Sequence, residues 1–417
     1  MTFSFHTLGC KLNFAESSSI AKQLVENGHT RVPQSQPADI CIINTCSVTD
    51  AADHKGRQAI HHIRKLNPNA TLIVTGCYAQ LKPGEIISMP QVDFVLGAND
   101  KFSIPSLIHN IESHSAPQPT TLVSAQDKTA PFFPSYSKDD RTRCFLKIQD
   151  GCDYFCTYCT IPFARGRSRN NSIEKTIQQV NQALAEGAKE IVLTGVNIGD
   201  FGKSTGETFF ELIKAIDSID SQFRVRISSC EPNLLTDQII QFVSQSNHFT
   251  PHFHIPLQSG TDQMLRIMHR RYNTQLFKQK VEYIKQLMPH AFIGVDCMVG
   301  VRGETPELFQ QYYDFISSLD ISALHVFTYS ERQNTYMLKM DLPIVPPKEK
   351  KERSDILHQL STRKLNQFYQ NNKGYHATVL WEAKKENNLM AGFTENYIKV
   401  FQPYDKNLVN TFQPYIC

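Results

Sequence analysis

Six of the eleven cysteines fall into two sets placed for iron–sulfur chemistry. One set is local, in Gly151-Cys152-Asp153-Tyr154-Phe155-Cys156-Thr157-Tyr158-Cys159. At this cysteine content, chance supplies only about 0.008 such C-x3-C-x2-C runs. Three thiolates on one loop can hold three irons of a 4Fe-4S cube and leave the fourth open to an exogenous ligand, unlike a four-cysteine electron-transfer site. A structural zinc would want a fourth Cys or His at matching spacing, and none follows locally. The other set is dispersed: Leu8-Gly9-Cys10-Lys11-Leu12-Asn13, Asn44-Thr45-Cys46 and Thr75-Gly76-Cys77-Tyr78. Brought together, Cys10, Cys46 and Cys77 could likewise hold three irons. The bland alternative for each is an incidental loop thiol acting as a small hydrophobe. Cys41, Cys144, Cys230 and Cys297 sit in or beside strand patterns and read as packing residues; Cys417 has no assigned role.

The elements that must position these thiols alternate regularly. Strands are expected at Phe3–Thr7, Ile40–Asn44, Leu72–Thr75 and Val92–Leu96, with helices at about Glu16–Glu26 and Ala51–Leu66 and a short one from Pro83. This βαβ pattern implies a parallel sheet covered by helices, with the first three strands each ending just before one of the dispersed cysteines. A Ser-, Pro- and Thr-rich stretch reads as an interdomain linker. Six further strands follow, at about Cys144–Gln149, Glu190–Thr194, Phe223–Ser228, Phe253–Leu257, Phe292–Met298 and Ala323–Thr328. Helical patterns separate them, with Ser172, Thr236 and Thr305 as N-caps. Six βα units imply a partial barrel. After a charged helical stretch from about Pro347 to Tyr369, β patterns return at His376–Glu382, Leu389–Thr394, Tyr397–Phe401 and Thr411–Ile416.

The chain of 417 residues is long enough for two to four domains. With 41% hydrophobic and 20% charged residues and a formal charge of +3, it is neither disordered nor strongly basic. No apolar run approaches a membrane span, and no basic n-region precedes the short apolar run at the start, so a soluble cytoplasmic protein is expected and no disulfide framework.

The C-x3-C-x2-C segment resembles the signature of radical S-adenosylmethionine enzymes, whose family fold is a partial (β/α)6 barrel. The resemblance implies that the open iron chelates S-adenosylmethionine, that Tyr158 packs near its adenine, and that Gly195-Val196-Asn197 contacts its methionine part; a bare β-turn is the alternative for those three. Gln258, in Ile255-Pro256-Leu257-Gln258-Ser259-Gly260, and the loop Val299–Thr305 complete the pocket. Together with Cys10, Cys46 and Cys77, the whole chain is similar to methylthiotransferases. These join an auxiliary 4Fe-4S domain, a radical S-adenosylmethionine core and a C-terminal TRAM domain. Expected limits are 1–113, linker 114–137, core 138–368 and TRAM-like RNA-binding domain 369–417, the last a small β-barrel short of one expected strand.

Three family branches act on isopentenyladenosine in tRNA, on threonylcarbamoyladenosine in tRNA, and on an aspartate of a ribosomal protein. Phe5-His6-Thr7-Leu8-Gly9-Cys10-Lys11-Leu12-Asn13 resembles the second. The implied reaction sets a methylthio group on carbon 2 of N6-threonylcarbamoyladenosine at position 37, beside the anticodon. It draws on two 4Fe-4S clusters and on S-adenosylmethionine as radical source and methyl donor. The implied partners are a tRNA anticodon stem-loop and an electron donor such as flavodoxin or ferredoxin, with the sulfur donor unknown and no membrane. Arg165, Arg167 and Arg169, and Arg266, His269, Arg270 and Arg271, lie beside the site mouth and are expected to face RNA phosphates, with a solvated helix face as the alternative. Methylthiolation of isopentenyladenosine or of a ribosomal-protein aspartate, and a noncatalytic iron–sulfur RNA-binding protein, are the competing readings.

Overall fold

The computed structural model describes residues 1–113, 120–126, 130–137 and 142–417. The first strands are β1 (Thr2–Thr7), β2 (Thr30–Arg31), β3 (Ile40–Thr45), β4 (Thr71–Gly76), β5 (Phe94–Leu96) and β6 (Thr120–Leu122). They form one parallel sheet in the order β2-β1-β3-β4-β5-β6. Every residue of β3 is buried, as a central strand covered on both faces requires. Ile40 and Ile42 pack with Phe3, Phe5 and Leu24 on one face; Cys41 and Ile43 pack with Ile60 and Val74 on the other. β6 departs from the expected linker, because Thr120–Leu122 extends the sheet beside β5. The linker's residues 114–119 and 127–129, and 138–141 at the start of the expected core, lie outside the described residues.

The helix Asp50–Leu66 starts where Thr49 accepts a hydrogen bond from the Ala52 amide. The first helix spans Lys11–Glu26, beginning well before the expected Glu16, because its N-cap Cys10 makes no side-chain cap that would mark the start.

Next come β7 (Ser135–Tyr136), β8 (Cys144–Lys147), β9 (Gln149–Asp150), β10 (Arg169–Asn170), β11 (Glu190–Thr194), β12 (Arg224–Ile227), β13 (His252–Gln258), β14 (Phe292–Val299) and β15 (Ala323–Thr328). β8, β11 and β12 are parallel neighbours, with β7 antiparallel on the free edge of β8. β13, β14 and β15 form a second parallel group, and two parallel bridges, Val225 to Phe249 and Ser229 to His254, link the groups. Ile191, Leu193, Val225, Ile255 and Val295 face the helices and share one core. Ser172, Thr236 and Thr305 cap their helices through the amides of Lys175, Ile239 and Leu308. Strand alternation therefore turns Lys147, Arg226, His254 and Asp296 to the opposite, inner face. The helix Lys11–Glu26 closes on that face, where Ala15 and Phe14 meet Phe145 and Val192.

The helix Pro347–Asn371 packs along β15 and leads to β16 (His376–Glu386), β17 (Leu389–Phe393), β18 (Lys399–Pro403) and β19 (Phe412–Ile416). These pair antiparallel in the open order β18-β17-β16-β19. Tyr397 stands outside β18 with φ +68°, a turn conformation rather than the expected strand. Arg224 donates to the carbonyls of Thr378 and Phe393 at 3.0 and 2.8 Å, and Arg226 to that of Glu395 at 3.0 Å, so β12 clasps this sheet directly.

Candidate functional site

The loop carrying Cys152, Cys156 and Cys159 follows β9. Gly151 opens it at φ +69°, where a Cβ would run into the Arg167 carbonyl, so the turn excludes any side chain. The Cys152 amide donates to the Gly166 carbonyl at 3.0 Å, while the Tyr154 and Ile161 amides point at the sulfurs of Cys152 and Cys159 at 3.4 and 3.5 Å. Arg270 donates to the Cys156 sulfur at 2.9 Å and pairs with Glu231. Burial pushes the Cys159 thiol up to about 12, with the neighbouring Cys156 adding to the effect. Such thiols stay protonated until a metal ion or cluster displaces the proton.

A cavity of about 290 Å³ adjoins these cysteines and is lined by Tyr158, Val196, Asn197, Gln258, Glu231 and Asp296 among others. Both side-chain polar atoms of Asn197 and the Oε1 of Gln258 are buried without a hydrogen-bond partner among the described residues. Unmet amides in a cavity beside three thiols suit a small, highly polar cosubstrate. Gln258 has φ +66° where the register between β13 and β14 slips, and such strain is commonly stored at functional sites. Gly195 is absent from the lining. It shapes the turn instead, leaving room for Gln149, whose Oε1 accepts from the Val196 and Asn197 amides at 2.9 Å each.

Cys10, Cys46 and Cys77 converge as their strand order requires: β1, β3 and β4 are adjacent and all end at the same edge. Gly9 has φ +96°, and a Cβ there would sit 2.5 Å from the Cβ of Cys46 and 3.0 Å from its sulfur. Burial, with Cys10 and Cys77 nearby, pushes the Cys46 thiol up to about 12. Arg165 lies close enough to favour ionisation of both Cys46 and Cys77. It belongs to a buried network in which Glu16 pairs with Lys101, Lys147 and Arg165 at 2.6, 2.7 and 3.0 Å. Asp150 pairs with Lys147, Arg165 and Arg169 at 2.6, 3.0 and 3.3 Å. Four cations face two carboxylates, and the surplus positive charge beside three thiols suits an anionic cluster.

This network corrects the expected RNA contacts. Arg165 and Arg169 are buried and held by carboxylates, and the Arg270 side chain is covered against Glu231 and Cys156 at the wall of the cavity rather than on the outer surface. Arg167 keeps 43% side-chain exposure, paired with Asp153 at 2.7 Å, and Arg271 is exposed over the Tyr154 ring at 4.1 Å. Arg266 and His269 line another cavity of about 540 Å³ with Phe155, Phe163 and Tyr336, and Cys156 and Cys159 border it as well.

Two features escaped the sequence reading. Glu231 and Arg332 carry no local motif. Arg332 is buried and donates to Ser47 and to Asp50 and Asp53 at 2.7 and 3.0 Å, fastening the segment after Cys46 to the wall that holds Cys152–Cys159. The second is an inner-face group: His254 Nε2 and His325 Nδ1 lie 2.6 and 3.2 Å from Asp296 Oδ1. Only strand pairing brings these three together.

A family model described as the radical SAM superfamily matches residues 146–316, and one described as Uncharacterized protein family UPF0004 matches residues 2–97. The chain is 37% identical over 409 residues to the "Threonylcarbamoyladenosine tRNA methylthiotransferase MtaB" of Bacillus subtilis (strain 168), covering 96% of this chain and 90% of that one. It is 34% identical over 400 residues to the protein of the same name from Aquifex aeolicus (strain VF5), covering 96% of each. A "tRNA-2-methylthio-N(6)-dimethylallyladenosine synthase" of Carboxydothermus hydrogenoformans is 31% identical over 407 residues, covering 95% of this chain and 92% of that one. Among solved structures, the radical S-adenosylmethionine methyltransferase TsrM from Kitasatospora setae superimposes with a TM-score of 0.57 at 13% identity, covering 78% of this chain and 72% of that one. That likeness bears on the α/β fold alone.

Proposed function

Because the chain belongs to the radical S-adenosylmethionine methylthiotransferases, enzymes that use S-adenosylmethionine and 4Fe-4S clusters, we propose that it methylthiolates carbon 2 of N6-threonylcarbamoyladenosine at position 37 of tRNA. Support for this branch comes from the names of the relatives at 34–37% identity and from the Phe5–Asn13 segment. The six parallel strands are read as a partial (β/α)6 barrel and the C-terminal sheet as a TRAM-like domain that adds to the anticodon-stem-loop surface. Cytoplasmic tRNA is the substrate pool and a small reduced electron carrier the partner; among the described residues no helix is long and apolar enough to cross a membrane.

One observation carries the reading. The cavity beside Cys152–Cys159 and a second one bordered by Gly9 and Lys11 meet at Asp296, which lines the first and is bonded to His254 and His325 of the second. A base seated between them would lie between the Cys152–Cys159 loop and the residues that flank Cys10 and follow Cys46.

Cys152, Cys156 and Cys159 hold one cluster and Cys10, Cys46 and Cys77 the other. When bound, these groups and S-adenosylmethionine supply one-electron bond cleavage, hydrogen abstraction from an unacidic aromatic C–H, sulfur and the methyl group. The protein's residues do the rest. Asn197, Gln258 and Tyr158 orient the cosubstrate. Arg270, Arg165 and Lys101 offset negative charge at the cysteines, and the helix Lys11–Glu26 shields the inner face from water. Arg167 and Arg271 remain to contact RNA phosphates.

Mass spectrometry of tRNA nucleosides from a deletion strain, with and without the gene restored, tests this. The 2-methylthio form of threonylcarbamoyladenosine should vanish and return. Its persistence in the deletion strain would overturn the reading, and loss of the isopentenyl derivative instead would move the chain to the other tRNA branch.

A further inference from the structure

The second cavity has a volume of about 330 Å³ and is lined by Lys11, Arg143, Arg226, His254, His325 and Tyr397 among others. Three parts of the chain meet there: the residue after Cys10, the inner face of the parallel strands, and the turn before β18. The charges are unbalanced. Arg143 is paired with Glu382 at 2.9 Å. Arg226 shares the single carboxylate of Glu190 with Arg224. Asp296 is occupied by His254 and His325. Among the described residues the Lys11 ammonium has no ion pair. The cavity wall thus holds more positive than negative charge in a half-buried setting, where an unpaired cation is costly.

The same wall offers flat apolar faces in Phe14, Phe145 and Phe292. Tyr397 is held with a left-handed backbone, its ring stacked on Phe393 at 4.9 Å and its hydroxyl accepting from Arg143 at 3.2 Å. A non-glycine residue fixed at positive φ costs energy that only its surroundings recover, so this ring is placed deliberately at the cavity.

We propose that this cavity seats the anionic amino-acid substituent of the modified adenine, with Lys11 as the ion partner of its carboxylate. The inference rests on the substrate reading above and deepens it, naming the residue that sets specificity. An N6-threonylcarbamoyl group ends in a carboxylate; an isopentenyl group is a neutral hydrocarbon and would leave the Lys11 ammonium desolvated and unpaired. Sites built around a buried polar partner discriminate strongly against analogues that lack it. The position of Lys11 immediately after Cys10 also ties recognition of the substituent to the cysteine set beside which the ring must lie.

The test is binding to the reconstituted full-length protein of synthetic anticodon stem-loops carrying threonylcarbamoyladenosine, its carboxyl methyl ester, or isopentenyladenosine, read by fluorescence anisotropy. The ester keeps the shape and removes the charge. Wild-type protein should favour the acid over the ester by about 30-fold. Lys11→Met should bring that ratio close to one, and Lys11→Arg should retain most of it. Iron content on the same preparations checks that both clusters are loaded. An unchanged acid-to-ester ratio in Lys11→Met, or no preference in the wild type, overturns the proposal. The wild-type comparison needs no variant, so misfolding cannot hide the answer. If wild type converts the acid-bearing RNA to its methylthio product while the ratio ignores Lys11, this proposal alone fails. If wild type modifies only the isopentenyl RNA, the substrate reading itself fails.

Discussion

At the residue scale, the division of labour proposed for the two cysteine sets is one that their variants should separate. Alanine at Cys10, Cys46 or Cys77 is expected to leave reductive cleavage of S-adenosylmethionine in place while methylthio product disappears. Alanine at Cys152, Cys156 or Cys159 should abolish the cleavage. Iron and sulfide analysis supplies the independent check: about eight irons per chain should fall to about four in the Cys152/Cys156/Cys159 triple variant, as expected of two four-iron clusters. About four irons in the parent protein would sink the two-cluster assignment. Gly9→Ala should act on the same site without touching a thiol. Its φ of +96° and the 2.5 Å approach to the Cys46 Cβ leave no room, so a cost of about 1–3 kcal/mol and loss of iron from the Cys10/Cys46/Cys77 site are expected. The spacing of the cysteines was legible because a C-x3-C-x2-C run is local. The fates of Arg165, Arg169 and Arg270 were not, since nothing in Arg165-Gly166-Arg167-Ser168-Arg169 reveals that Glu16 and Asp150 wait for two of the three guanidinium groups.

At the element scale, the first helix deserves a functional description as well as a structural one. Lys11 and Phe14 face one cavity, while Glu16 carries the buried network that ties this helix to β8 through Lys147 and to the cysteine loop's far end through Arg165. Glu16→Gln would leave Lys101, Lys147 and Arg165 short of one carboxylate in a site with no solvent access. A loss of about 3–5 kcal/mol in urea unfolding is expected. A change below about 0.5 kcal/mol would mean that the network contributes nothing to the folded state. The longer strands were readable from their period and their β-branched content, whereas the two- and three-residue strands β2, β6, β7 and β10 were not. The start of this helix was not, because Cys10 caps it with backbone geometry alone.

At the scale of the whole molecule, two clasps hold the parts in register. Arg332 joins the segment after Cys46 to the wall of the cavity beside Cys152, Cys156 and Cys159. Arg332→Ala leaves the buried Asp53 with the Ser47 hydroxyl at 2.6 Å and Lys82 at 3.3 Å, and should cost about 3 kcal/mol and weaken coupling between cleavage and product. Coupling is read as product formed per cosubstrate cleaved, and an unchanged ratio would count against the clasp. Glu190 fastens the C-terminal sheet through Arg224 and Arg226. Burial pushes its carboxyl up, but the two guanidinium groups outweigh that and hold it far below its ordinary value of 4.5. A depressed folded value means that the stabilisation is fully present above about pH 4.5 and declines as pH falls towards the folded value. Urea unfolding between pH 7 and pH 3 should show this decline, and Glu190→Gln should flatten that part of the curve.

The sequence by itself determined the alternation of strands and helices, the two cysteine sets and the resemblance to a methylthiotransferase, because periodicity, capping and motif spacing are local properties of a chain. Only the tertiary structure decided that β6 extends the first sheet, that three expected RNA contacts are interior ion pairs, and that Lys11, His254, His325 and Tyr397 line one cavity that adjoins the cavity of Cys152, Cys156 and Cys159 at Asp296. Those positions lie on strands and turns far apart in the chain, and their chemistry exists only once register and packing have set which carboxylates each cation meets.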